Sequence, residues 1–311
     1  MAAVEGRRNN LNLLDDPAAL KSELIALSSA RCGLETLFRA EEGGRATTSS
    51  VMVPLGECVP EDGTAPEICL ILNKRSRLVK QPGDLCFPGG TRNGPLDGLL
   101  GKLLKLPGSP LVKWPCWKDL RREAPAEAEY LSTLLATALR ESWEEMRLNP
   151  FGVTFLGPLP SQCLVLFRRV IHPMLGWVER QTRFTPSWEV EKILFVPFRA
   201  LLNPARYACH RLCVPPHLEW RFKGQQVDFP CFLFDDRGRT EILWGVTYRV
   251  VTMLIELVFG FVAPALETLP VVSTVLDETY VNGYPGRHSN RKPASFQSRI
   301  KNALLFRKDG S

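Results

Sequence analysis

The chain has 311 residues, 45% hydrophobic and 23% charged, with a net charge of +6. That length allows one large domain or two small ones, and the composition is that of a protein with a packed core. The positive balance suits phosphate-bearing small molecules and is too weak and dispersed to argue for nucleic acid.

The first ten residues hold no apolar signal core. The nine cysteines are odd in number and follow no disulfide rhythm, so reduced thiols in a cytoplasmic protein are expected. In chain order, Asp16 reads as the cap of a first helix, with Pro17 at its first position. Residues 49–56 and 67–76 read as strands across a turn-rich link, and 83–90 as a strand ending in a glycine pair. Residues 91–128 break the pattern with Gly, Pro, Trp and clustered charges, and are read as an insertion. A long helix spans 129–148. Strands are expected at 153–160, 169–178, 192–198, 218–222 and 226–234. A helix near 246–259 begins the most apolar stretch, 250–266. That stretch contains Glu256, Gly260 and Pro264 and is short for a membrane span, so a buried or interface helix is expected. The last forty residues are polar and basic, and 282–293 read as mobile. Strands, one long helix, more strands and a final helix suggest α+β or a layered α/β/α arrangement.

The chemistry concentrates in "RESWEE", residues 140–145. On a helical wheel Leu131, Leu135, Ala138, Leu139, Trp143 and Met146 fill one arc, and Arg140 points almost opposite. Glu141, Glu144 and Glu145 are crowded on adjacent turns, and like charges four apart destabilise a helix by a few tenths of a kcal/mol. Arg140 can pair with Glu144 but cannot serve all three. Either this is a solvated flank, or the carboxylates hold a hard divalent cation.

The stretch from "FPGG" (87–90) to "RESWEE" resembles the box of the Nudix hydrolases. "LNKRSRLVKQPGDLCFPGG" resembles, more specifically, the coenzyme A diphosphatase-like subfamily, through Arg75-Ser76, Lys80, Gly83 and Phe87 to Gly90. The likeness extends, outside 91–128, over roughly residues 45–262. It implies an α+β Nudix fold, an α/β/α sandwich with a mixed sheet, plus an insertion between the glycine pair and the catalytic helix. The expected organisation is an N-terminal helical segment (1–44), a hydrolase domain (45–268) carrying the insertion 91–128, and a basic C-terminal tail (269–311).

The resemblance also implies roles. Glu141, Glu144 and Glu145 would bind Mg²⁺ or Mn²⁺. Glu141, Arg140 and Glu145 would be catalytic, with Glu141 or a nearby carboxylate as base. Arg75, Lys80, Gly89 and Gly90 would bind a coenzyme A-like nucleoside diphosphate. Glu189 or Glu191 is a candidate for a further ligand or base. No nucleic-acid partner and no membrane span are expected, and a homodimer is open. Three departures stand out. The box is interrupted, so the acidic residue on its way would be Glu127 or Glu129. Arg147 replaces the glycine at the helix end. Gln81 stands where histidine is frequent.

The competing functions are hydrolysis of another nucleoside diphosphate derivative (NADH, ADP-ribose or a dNTP) and a Nudix-fold sensor or scaffold without turnover. Cys209, His210, Cys213 and His217 do not have a usual zinc spacing and read as a loop between strands. His172 reads as a core or rim histidine. Insertion residues Trp114, Trp117, Leu103 and Leu104 are expected at the rim of the site, over substrate or a protein contact.

Overall fold

A computed structural model describes residues 10–30, 47–59, 65–164, 169–216, 219, 225–276 and 280. Asp16 Oδ1 accepts from the amides of Ala18 and Ala19, both at 3.0 Å, and starts helix α1 (Pro17–Ala30) as its cap.

The main sheet is built on β1 (Thr47–Cys58) and β2 (Glu67–Arg75), which are antiparallel. They diverge toward one end, and the short strands β3 (Leu85–Cys86) and β4 (Gly89–Thr91) fill the gap, β3 on β2 and β4 on β1. Then follow β5 (Val153–Pro158), β6 (Gln162–Leu164), β7 (Arg169–Val178) and β8 (Val190–Pro197). The β1–β7 pair is parallel and every other pair in this sheet antiparallel, so the sheet is mixed. Residues 83–90, expected as one strand, are two short ones.

Period-two alternation sends neighbours to opposite faces. Met52, Ile71, Phe155 and Met174 face the long helix, while Val53, Leu72, Leu156 and Leu175 face the other layer. Helices therefore cover both sides, in an α/β/α sandwich. On the second side lie α1 and the apolar C-terminal helix (Gly245–Phe259), the latter buried through Val250, Val251, Leu254, Ile255 and Val258. Among the described residues no helix is long and apolar enough to cross a membrane.

Residues 91–128 correct the expectation of a rim insertion. They form α2 (Gly94–Leu103), α3 (Pro110–Lys113) and α4 (Trp117–Glu123), running into the long helix α5 (Pro125–Met146). Leu111, Trp114, Trp117 and Leu120 are buried in one cluster with Leu131, Leu134, Leu135 and Phe155. The two indoles thus enlarge the core under α5 and are unavailable to a ligand. Leu104 packs against this cluster, and Leu103 is exposed. The physical reason is area: each tryptophan removes about 150–250 Å² from water when buried.

Beyond β8, a short helix α6 (Phe198–Leu201) leads to a second sheet of β9 (Tyr207–Cys213), β10 (Gln226–Asp236), β11 (Arg239–Trp244) and β12 (Val271–Val275), in the order β11-β10-β9-β12. The C-terminal helix is α7. The expected loop at 207–220 begins as β9, in which His210 Nε2 lies 2.7 Å from Thr274 Oγ1. His217 lies outside the described residues, as does all of the expected strand at 218–222 except Glu219. The expected basic tail from 269 supplies β12, and 282–293 lie outside the described residues. Lys74 and Lys192 reach buried Glu241 at 3.1 and 2.8 Å, tying the two sheets together. Cys58 and Cys69 are near-opposed on β1 and β2, with Cα atoms 6.1 Å apart.

Candidate active site

The last two turns of α5 carry Arg140, Glu141, Glu144 and Glu145. The helix stops at Arg147, whose φ of 59° and ψ of 32° are left-handed. Its amide donates to Trp143 O (3.1 Å), and the Leu148 amide donates to Ser142 O (3.3 Å). This is the cap geometry that glycine adopts freely, and it strains an arginine by about 1 kcal/mol.

The glycine pair enters the sheet against this helix. A Cβ on Gly89 would sit 2.5 Å from Ser50 O, and one on Gly90 would land on the Glu141 carboxylate. Only glycine lets the strand and the carboxylates approach so closely. The Gly89 amide donates to Glu145 Oε1 (3.4 Å), and Asn73 Nδ2 donates to Glu145 Oε2 (2.8 Å). The expected juxtaposition of Gly89, Gly90, Glu141 and Glu145 is thus present.

Arg140 differs from its expected placement. It is buried, because α2 covers that flank of α5. Its Nε donates to Asp97 Oδ1 (2.7 Å) and a second nitrogen to Asp97 Oδ2 (3.2 Å). It also reaches Glu141 (2.9 Å) and Glu144 (3.4 Å). Burial works against its charge, but Asp97 and Glu141 outweigh it and raise its pKa. Asp97, seven residues after Gly90, is the acid between the glycine pair and α5 that meets Arg140, where Glu127 or Glu129 was expected as the acidic residue on the way. Glu129 instead pairs with Lys105. The sequence signal was present, but Asp97 fell inside the segment read as an insertion. Trp143, expected on the core arc, is partly exposed beneath the Arg147 guanidinium (5.4 Å to the ring centroid).

Desolvation raises the Glu145 carboxyl to about 8, with repulsion from Glu141 adding to it. Desolvation likewise lifts Glu141 to about 7, against the pull of Arg140. Glu189 is raised by desolvation and is coupled to Glu144 and, more weakly, to Glu141 and Glu145. The loop holding it is fixed to α5 by the Ser187 amide on Glu145 O (2.8 Å). Glu191 turns away to Lys74 (3.4 Å). Asn73 gives a sequence signal only as a lone amide in an apolar strand, and its buried Oδ1 has no hydrogen-bond partner among the described residues.

Among the described residues no three acid, histidine or cysteine groups are already drawn together as a metal cage. The donor chemistry nonetheless fits a hard divalent cation. All the candidates are carboxylates: Glu141 and Glu145 are half-buried beside the Gly89–Gly90 backbone, and Glu141 and Glu144 share the Arg140 guanidinium.

Arg75 Nε donates to Lys80 O (2.8 Å), closing the loop between them, while the Lys80 side chain is exposed. Gln81, the third departure, adopts φ 56° in that loop. Its amide donates to Tyr280 O (3.0 Å). Asp84 accepts from Tyr280 OH (2.6 Å) and Trp244 Nε1 (3.0 Å), and burial lifts it to about 6. Burial pushes the Cys86 thiol up to about 12, so it stays protonated. His172 is buried in β7 with Nε2 3.5 Å from Tyr130 OH.

No model of a known protein family matches the chain. It is 24% identical over 262 residues to the peroxisomal coenzyme A diphosphatase NUDT7 of Mus musculus, covering 81% of this chain and 86% of that protein. Solved structures similar to it include a NUDIX hydrolase from Alicyclobacillus acidocaldarius (15% identity, TM-score 0.33, 51% of this chain and 82% of that one). Another is a MutT/nudix family protein from Enterococcus faecalis (10% identity, TM-score 0.33, 74% and 70%).

Proposed function

We propose that this Nudix hydrolase of the coenzyme A diphosphatase-like type uses Mg²⁺ or Mn²⁺ to cleave the diphosphate of coenzyme A or an acyl-CoA. The products would be 3′,5′-ADP and (acyl-)4′-phosphopantetheine. The observation that carries this reading is the seating of Glu141 and Glu145 directly against the Gly89–Gly90 backbone.

Glu141, Glu144 and Glu145 would hold the cation, with Glu189 in reach of the same charge cluster. Once bound, it would neutralise diphosphate oxygens and acidify the attacking water. Arg140, anchored by Asp97, holds Glu141 and Glu144 in position. Asn73 and the Gly89 amide orient Glu145. A carboxylate of this cluster, Glu141 foremost, accepts the water proton as the new P–O bond forms. The bridging oxygen then leaves with the other phosphate. Arg75 and Lys80, on the adjoining loop, supply positive charge for the substrate phosphates. This assignment draws on the similarity to the mouse diphosphatase and on the 75–90 motif.

The test is turnover of purified protein, with Mg²⁺ or Mn²⁺, on coenzyme A, acyl-CoA, NADH, ADP-ribose and dNTPs, with products identified by mass. Preferred release of 3′,5′-ADP supports the reading. Faster turnover of NADH, ADP-ribose or a dNTP replaces the substrate, and no turnover of any compound removes the enzyme.

A further inference from the structure

We propose that a groove beside the C-terminal end of α5 is an anion site that takes the phosphate of a phosphorylated nucleoside. The groove has a volume of about 730 Å³, and Arg147, Phe151, Glu179, Arg180, Gln181 and Arg183 are among its lining residues.

One side chain assembles it. Gln181 Oε1 accepts from the Asn149 amide (2.7 Å), and its Nε2 donates to the carbonyls of Arg147 and Arg183 (2.9 Å each). The helix cap and the loop after β7 are thereby stitched together, with three arginines around one opening. The one acid in the lining, Glu179, is already engaged by Lys21 (3.2 Å) and Thr154 Oγ1 (2.6 Å). The Arg147 guanidinium rests over the Trp143 ring and donates to Trp143 O (3.3 Å). Among the described residues the side chains of Arg180 and Arg183 have no acid or acceptor partner. The groove therefore carries positive charge that no acid among the described residues answers.

Guanidinium forks match phosphate oxygens in two-point hydrogen bonds. Phe151 is 82% exposed in the same lining. An exposed ring offers a flat surface on which a base stacks. Arg147 adds a second line. An arginine is kept in a left-handed position that glycine would occupy without strain, and such outliers gather where side chains are used.

The groove adjoins the carboxylate cluster without including it. The Thr185 amide donates to Met146 O (3.1 Å) and the Ser187 amide to Glu145 O, so one loop runs from Arg183 to Glu189. The ligand is then either the far end of the substrate or a separate nucleotide; both present the same phosphate chemistry.

Binding of adenosine 3′,5′-bisphosphate to the full chain, measured by calorimetry in EDTA at low salt, tests the site without turnover. Wild type and Glu145→Gln should bind alike. Arg180→Ala/Arg183→Ala, shown folded by circular dichroism, should bind at least about tenfold more weakly, since two charge-assisted contacts are lost. Equal affinity in the double variant, or no binding by wild type, overturns the proposal whatever the enzyme's substrate. The source is read from KM in the same double variant. A raised KM for the hydrolysed diphosphate assigns the groove to the substrate, and an unchanged KM with lost bisphosphate binding assigns it to a separate ligand.

Discussion

Arg140 and Asp97 form a two-point ion pair, at 2.7 and 3.2 Å, in which the Asp97 side chain is 0% and that of Arg140 7% exposed. The pair joins α2 to α5 and fixes the guanidinium that Glu141 and Glu144 share. Removing one member of a buried pair costs about 3–5 kcal/mol, because the other charge is left without compensation. Asp97→Ala should lose stability on that scale in urea unfolding, with Asp97→Asn intermediate. Hydrolysis should fall in both, as Arg140 is freed to draw Glu141 inward. A loss below about 1 kcal/mol would show that the pair is incidental, since that is the size of an exposed one.

Glu145→Gln should abolish most divalent-dependent turnover while keeping the fold, and Glu144→Gln should follow it. The amide keeps the volume of Glu145 and an acceptor for Asn73, but loses the charge. Undiminished wild-type turnover in EDTA would end the metal reading.

Stability should also depend on pH in a defined direction. Glu141 and Glu145, at about 7 and about 8, are raised above the ordinary unfolded value near 4.3. The native state therefore holds their protons more tightly than the unfolded chain does. Their contribution is full below that unfolded value and is lost as pH rises through 7 to 8. Without metal, the melting temperature should fall across this window, and Mg²⁺ should restore it most at the alkaline end. In Glu145→Gln the fall should be smaller. A melting profile identical with and without Mg²⁺ at pH 8 would contradict this.

Trp114 touches Phe155 (ring centroids 5.4 Å apart) inside the core under α5. Trp114→Ala should cost about 3–5 kcal/mol, the usual cost of truncating a large buried ring. Replacing 91–128 by a short linker should prevent folding, because it removes Asp97 together with Leu111, Trp114, Trp117, Leu120 and Ala128 of one core cluster. A folded, metal-binding deletion protein would return the segment to the surface role expected from its sequence.

The sequence by itself determined the periodic elements and the local chemistry. The cap at Asp16, the strand 169–178, the glycine pair and the glutamate triplet are all written in short-range patterns. Local sterics and hydrogen bonding decide such features within a few residues. What only the tertiary structure decided was which side of each element found a partner. The helical wheel put Arg140 outward and Trp143 inward. α2 covers the arginine and brings Asp97 to it, while Trp143 lies outward under Arg147. Trp114 and Trp117 looked like a flap because a polar, proline-rich context surrounds them, yet their apolar area is satisfied against α5. Asn73, Glu189 and Asp97 lie 72, 44 and 48 residues from Glu145 by number. No periodicity links residues so far apart; their meeting depends on sheet register and on how helices pack over it.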